Sequence, residues 1–228
     1  NKAIALAKEN KDVLNEAIGL RKLAVWYIDK ENYNQALELL MKSSEINRGN
    51  EFSKAHRYNL ACDYFDIGLV FANKEDFKTA REFYQKSQAL FKQMKLKEEL
   101  SDCYFNLGEM YLFEKQYKMA LDCYLNGLKI DQLQNNKQNL ASDYTMIGEL
   151  YLEMGNLTKA EFYFKQSVTL AAQIDAPLEL ASASYDLGLL YKQKQDKIKA
   201  KEYFRKAQEI YSHIDTPAYQ RVKQALLE

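Results

Sequence analysis

The stretch whose reading decides the fold is Tyr104-Phe105-Asn106-Leu107-Gly108-Glu109-Met110-Tyr111. Its apolar residues recur at helical spacing, and the same pattern returns along the chain at a fixed interval. Gly68, Gly108, Gly148 and Gly188 stand 40 residues apart. Ala80, Ala120, Ala160 and Ala200 repeat in step with them, as do Tyr84, Tyr124, Phe164 and Phe204. Phe71, Tyr111, Tyr151 and Tyr191 form another such series, and Ile67, Leu107, Ile147 and Leu187 precede the glycines. An earlier unit, four residues out of phase, carries Leu23, Ala24, Tyr27, Ala36 and Leu40. Its extra residues fall in the polar stretch 47–51, which reads as a loop.

Each unit therefore reads as helix A, a short turn, helix B and a connector. Asn32, Asp76, Asn156 and Asp196 occupy equivalent turn positions, with Gln116 in the third unit. Four of these five are good N-caps for helix B, because a short side-chain oxygen can accept from a free backbone N–H of the first turn. Pro177 and Pro217 are expected in connectors, where they break no helix. A glycine inside helix A costs about 1 kcal/mol relative to alanine, so four at one register imply a compensating contact. Gly108 and Ala120 lack bulk, which predicts a close approach of helices A and B, with Tyr111 and Tyr124 filling the space beside it.

This pattern of aromatic-x-x-Leu-Gly-x-x-Tyr, then Ala, an aromatic and a small residue, resembles the tetratricopeptide repeat. Tyr104, Leu107, Gly108, Tyr111, Ala120, Tyr124 and Gly127 carry it, and Tyr144, Ile147, Gly148, Tyr151, Ala160, Phe164 and Ser167 carry it again. The usual period is about 34 residues. The six further residues here would lengthen the helices by up to ~9 Å. In this respect the chain is similar to the repeats of kinesin light chains, of modulators that bind G-protein α subunits, and of Gram-positive peptide-pheromone receptors. The resemblance implies an all-α, right-handed superhelical solenoid of tandem antiparallel helix pairs. Residues 1–16 are expected to end a preceding helix B. Repeats are expected at about 17–60, 61–100, 101–140, 141–180 and 181–216, with a capping helix over 217–228 whose apolar stripe is Ala218, Val222, Ala225 and Leu226. A start inside a repeat is what a piece of a longer protein would show.

Composition agrees with helix throughout. Glycine (8) and proline (2) are scarce, while Tyr (17) and Phe (11) are plentiful enough to fill a core. Lys+Arg equals Asp+Glu at 32 each, so the chain as a whole has no electrostatic pull on nucleic acid or anionic lipid. No run of 18 apolar residues occurs, and no membrane partner is expected. Cys62, Cys103 and Cys123 form no CxxC pair and read as small core residues of a reducing, cytoplasmic compartment. Neither His56 nor His213 belongs to a metal-ligand cluster, and no phosphate-binding or nucleophile motif is present. No cofactor and no catalysis are expected.

What remains is one face of helix A. With Gly108 as position 8, positions 4, 7, 8 and 11 point to the core at 100° per residue. Positions 2, 5, 6, 9, 12 and 13 fall on the opposite side, which in the family it resembles lines a concave ligand groove. That side holds apolar Phe65, Leu69, Phe105, Leu112, Leu152, Tyr185 and Leu189. Its acids are Asp66, Asp102, Glu109, Glu149, Glu153 and Asp186, against the single base Lys192; Arg21 and Lys22 reverse the sign in the first unit. Asn106 and Thr145 add polar groups. Arg21, Phe65, Asp66, Leu69, Asp102, Phe105, Asn106, Glu109, Leu112, Thr145, Glu149, Tyr185, Asp186 and Leu189 are thus the candidate ligand contacts. The alternative reading is that the apolar members pack against neighbouring A helices. The expected function is a non-catalytic interaction scaffold that holds a basic or amphipathic peptide or helix of another protein. A regulatory sensor that binds a signalling peptide is the alternative, and self-association is a further possibility.

Overall fold

A computed structural model describes residues 2–213 and 217–227. Its helices are α1 (Lys2–Glu9), α2 (Val13–Asp29), α3 (Tyr33–Arg48), α4 (Lys54–Asn73), α5 (Phe77–Met94), α6 (Lys97–Phe113), α7 (Tyr117–Gln134), α8 (Lys137–Glu153), α9 (Leu157–Gln173), α10 (Pro177–Gln193), α11 (Lys197–Ser212) and α12 (Pro217–Leu227). No strand occurs among the described residues. The turn from helix A to helix B has one construction throughout. Its second residue takes the left-handed conformation: Glu31 (φ 56°), Glu75 (61°), Lys115 (58°), Gly155 (72°) and Gln195 (62°). The next residue sends its N–H back five residues to the carbonyl of the repeat aromatic, as in Asp76 to Phe71 at 2.9 Å and Asn156 to Tyr151 at 2.8 Å. The side chains of Asn32, Asp76, Asn156 and Asp196 then cap the following helix, accepting from Gln35, Thr79, Lys159 and Lys199 N–H groups at 3.1–3.4 Å. One turn therefore both ends helix A and starts helix B.

The chain forms two compact units, residues 1–116 and 117–228. In the first, α2 packs with α3 and α4 with α5 as antiparallel pairs. A Cβ placed on Gly68 would lie 2.9 Å from the Tyr84 ring, so the glycine is a seat for that ring. In the first pair Ala24 and Leu40 take the places of Gly68 and Tyr84, and both are fully buried. In the second unit, α8 with α9 and α10 with α11 repeat the arrangement. A Cβ on Gly148 would meet Phe164 at 2.6 Å, and one on Gly188 would meet Phe204. The glycine register thus follows from a ring of helix B lying on helix A, rather than from a glycine–alanine backbone approach. Buried serines of helix B add a second tie. Ser43, Ser87 and Ser167 donate to the carbonyls of Ala17, Ala61 and Ala141 on helix A at 3.0, 2.8 and 2.7 Å.

The sequence reading and the structure differ at the ends of elements. Helix α3 continues to Arg48, so Asn47 is helical and buried rather than in a loop; its amide donates to Asp63 at 2.7 Å. The A helices begin at Val13, Lys54, Lys97, Lys137 and Pro177, ahead of the expected repeat starts. The signature positions sit mid-helix, and caps such as Asp12 and Asn136 mark the true starts. Pro177 and Pro217 open α10 and α12, where a missing N–H costs nothing. In α12, Val222 is buried and Ala225 and Leu226 are half-buried; the side chain of Ala218 and all of Glu228 lie outside the described residues.

Candidate functional site

Helices α2, α4 and α6 present their position-2, -5, -6 and -9 residues along residues 1–116, and two pockets open there. The first, of about 230 Å³, is lined by Arg21, Tyr58, Cys62, Phe65, Asp66, Phe91, Glu99 and Asp102. Arg21 Nε donates to Asp66 Oδ2 at 2.7 Å, an ion pair with only 29% and 12% of its side chains exposed. Burial raises the Asp66 carboxyl above its ordinary range, and Arg21 opposes that shift. Asp66 is therefore not one of the acids left over for a ligand. Glu99 and exposed Asp102 stand at the same pocket. The second pocket, of about 330 Å³, is lined by Leu69, Ala72, Asn73, Glu75, Phe77, Tyr84, Asn106, Glu109, Met110 and Phe113. Burial alone raises the Glu109 carboxyl here. Asn106 donates its amide to the Asp102 carbonyl at 2.8 Å.

Some expected contacts are spent on packing. Phe105 is 7% exposed and offers a ligand little surface. Phe65 is half-buried, edge-on to Tyr84 at 5.3 Å. Leu112 is half-buried and lines neither pocket. In residues 117–228, Thr145 is buried with its hydroxyl 2.8 Å from Ser167 Oγ, so it ties two helices rather than facing a ligand. Tyr185 leans on Phe204 at 5.6 Å, and Leu189 is half-buried. Glu149 is exposed. Asp186 is 7% exposed, and its Oδ2 has no hydrogen-bond partner among the described residues. Burial, with Glu149 nearby, pushes the Asp186 carboxyl well above its ordinary value.

Sequence reasoning missed several lining residues. Tyr58 and Glu99 stand near the N-terminal ends of α4 and α6, earlier than the positions used to define the face. Phe77, at the start of α5, stacks on Phe113, at the end of α6, at 4.6 Å with rings 6° from parallel. Phe113 is position 13 by the same count, so the periodicity could have found it. Burial pushes the Cys62 and Cys123 thiols up to about 11 and Cys103 up to about 12. They are free thiols held protonated rather than activated nucleophiles. Among the described residues no group of three His, Cys, Asp or Glu could hold a metal ion, and no helix is long and apolar enough to cross a membrane.

A family profile described as tetratricopeptide repeat matches residues 99–173 and 144–213, together half of the chain. The chain belongs to the tetratricopeptide-repeat family. No curated protein matches the sequence. Among solved structures, this tetratricopeptide-repeat chain resembles BtubC from P. vanneervenii with TM-score 0.79 at 19% identity, covering 94% of this chain and 87% of that one. Repeats of a kinesin light chain from Podosopora anserina match with TM-score 0.70 at 14% identity, covering 86% and 94%. A Rap protein complexed with Competence and Sporulation Factor matches with TM-score 0.76 at 14% identity, covering 91% of this chain and 56% of that one. At these identities the likeness is one of fold. It bears out the all-α array of tandem helix pairs read from the repeat, and the family supports an interaction scaffold.

Proposed function

We propose that this tetratricopeptide-repeat chain is a non-catalytic module that binds a basic or amphipathic peptide segment of a partner along its A helices. The observation that carries the reading is the pair of pockets on α2, α4 and α6. Their walls combine Asp102, Glu99 and Glu109 with Phe65, Leu69, Met110 and Phe113. Acids set beside apolar walls suit a cationic side chain next to an apolar one. A peptide-array screen against the 228-residue chain tests it. Basic, amphipathic peptides should dominate the binders, and acidic or uniformly apolar winners would overturn the reading. The second reading, a sensor responding to a signalling peptide, draws on the Rap protein, whose structure holds Competence and Sporulation Factor. A binding-induced change in helix packing, seen as altered amide-exchange protection across α2–α6, would favour the sensor over the adaptor. The cytoplasmic setting belongs to the same proposal.

A further inference from the structure

The second pocket contains a polar atom that packing does not explain. Tyr84 is fully buried, its ring lies on Gly68, and its Oη has no hydrogen-bond partner among the described residues. Tyr124 keeps the hydroxyl in the third repeat, whereas Phe164 and Phe204 hold the equivalent place with no hydroxyl at all. The ring therefore fills the core and the hydroxyl is surplus to it. A buried hydroxyl left without a partner is destabilising, so its presence calls for an explanation. Tyr84 is also a wall of the 330 Å³ pocket, together with Glu109 and Asn106. Glu109 raises the Tyr84 phenol, behind only burial itself, which places the two groups within electrostatic reach. Asn106 gives one of its two amide N–H groups to the Asp102 carbonyl, and its Oδ1 is an acceptor. Glu109 and Asn106 thus line one partly enclosed space with the Tyr84 hydroxyl buried in its wall, and Leu69, Met110 and Phe113 supply apolar wall.

We propose that this pocket is a lysine subsite, which takes the side-chain ammonium of a bound peptide. The assignment rests on the peptide-binding reading and names the chemistry at one point of it. An ammonium has three N–H donors and no acceptor, matching Glu109, Tyr84 Oη and Asn106 Oδ1. The Tyr84 hydroxyl can pass its own hydrogen to the Glu109 carboxylate while accepting from the ammonium. The four methylenes of lysine lie along Leu69, Met110 and Phe113, as long cationic side chains do on apolar surface. A carboxylate raised by burial alone is one that a cation relieves.

The test titrates n-butylammonium chloride, with n-butanol as the neutral isostere, into the full chain at constant ionic strength. Carboxyl ¹³C and aromatic NMR signals of Glu109 and Tyr84 report. Butylammonium should give saturable shifts at both residues and lower the Glu109 pKa, while butanol should not. Glu109→Gln should remove the response. Tyr84→Phe should weaken it about tenfold while keeping or raising Tm, since phenylalanine already serves this position elsewhere in the array. Equal responses to butylammonium and butanol would mean an apolar or water-filled cavity and would overturn the subsite. So would an amine response that survives Glu109→Gln. Array-selected basic peptides that bind wild type and Glu109→Gln equally would sink the subsite and leave the peptide-binding reading standing. Amine binding at Glu109 with no peptide captured would do the reverse.

Discussion

At the scale of single residues the repeat is a set of matched shapes. Phe164 lies where a Gly148 Cβ would be, 2.6 Å from the nearest ring carbons. Gly148→Ala must therefore displace the ring or helix α8, and Gly148→Leu more so; overpacking of this kind costs about 1–3 kcal/mol. The first repeat shows how the constraint is lifted, since Leu40 stands where the ring would be and Ala24 where the glycine would be. Phe164→Leu should accordingly relieve Gly148→Ala. Urea unfolding of the two single variants and the double variant should give a favourable coupling of at least about 0.5 kcal/mol. Strict additivity would refute the ring-on-glycine account. The glycine register was plain in the sequence because it recurs at 40 residues. What it faces was not, because periodicity gives the side of a helix and not the partner across the gap. The same gap in information hid the ion pair of Arg21 with Asp66, which are 45 positions apart.

At the scale of elements, turns and buried polar ties set how one helix meets the next. The left-handed turn residue is glycine only at Gly155. Elsewhere a side chain is held at a conformation that costs about 1–2 kcal/mol for a residue with a Cβ. Lys115→Gly should stabilise by up to ~1 kcal/mol once the greater freedom of glycine in the unfolded chain is subtracted, and Gly155→Ala should destabilise by a similar amount; thermal melts of the pair decide it. A second element-scale effect concerns Asp63, which is fully buried. Ser43 Oγ has one hydrogen but lies 3.0 Å from the Ala17 carbonyl and 2.8 Å from Asp63 Oδ1. That hydrogen is shared between two acceptors, the Ala17 carbonyl and the Asp63 carboxyl. Cys103, the counterpart of Asp63 one repeat on, instead donates its thiol to Ser87 at 3.6 Å. Burial pushes Asp63 up to about 7, outweighing the amide of Asn47, the hydroxyl of Ser43 and the charge of Arg21, while Asp66 adds to the rise. His56 closes the far side through Asn47 at 2.8 Å. The sign follows from proton binding. Between the ordinary carboxyl value and pH 7 the folded chain keeps a proton on Asp63 that the unfolded chain has lost, so this contribution to stability falls as pH rises through that window. Asp63→Asn mimics the protonated form. It should match wild type near pH 4 and gain on it up to pH 7, by roughly 2–4 kcal/mol; a difference that does not change with pH would refute the protonated aspartic acid.

At the scale of the whole molecule, zero net charge hides an uneven distribution along the A helices. The all-α repeat architecture was legible because every unit restates it, whereas the candidate contacts were legible only as a face. Helical angles place Asp66, Asp102, Glu109, Glu149 and Asp186 on one side, but they carry no information on which acids are neutralised. The structure pairs Asp66 with Arg21 and buries Asp186. Asp102 and Glu99 both line the first pocket, the latter not on the sequence-derived face at all. If attraction of a basic segment is electrostatic, these two acids should govern how fast it arrives. Reversing both, Glu99→Lys with Asp102→Lys, should slow association of array-selected basic peptides by about tenfold or more at low salt. Dissociation should change less, because it reflects the apolar contacts made after docking. Salt should weaken binding to wild type, since the screening length shrinks to ~8 Å at physiological ionic strength, and should instead speed association with the doubly reversed variant by screening its repulsion. Asp66→Asn is the internal control. It removes one negative charge from the same pocket, against a change of four in the double reversal, and leaves the Arg21 cation uncompensated there. Stopped-flow binding should then show association slowed by no more than one unit charge requires, with a lowered melting temperature as its main effect. A salt-independent association rate, or equal rates for wild type and the Glu99→Lys, Asp102→Lys variant, would show that the pockets are not read by charge.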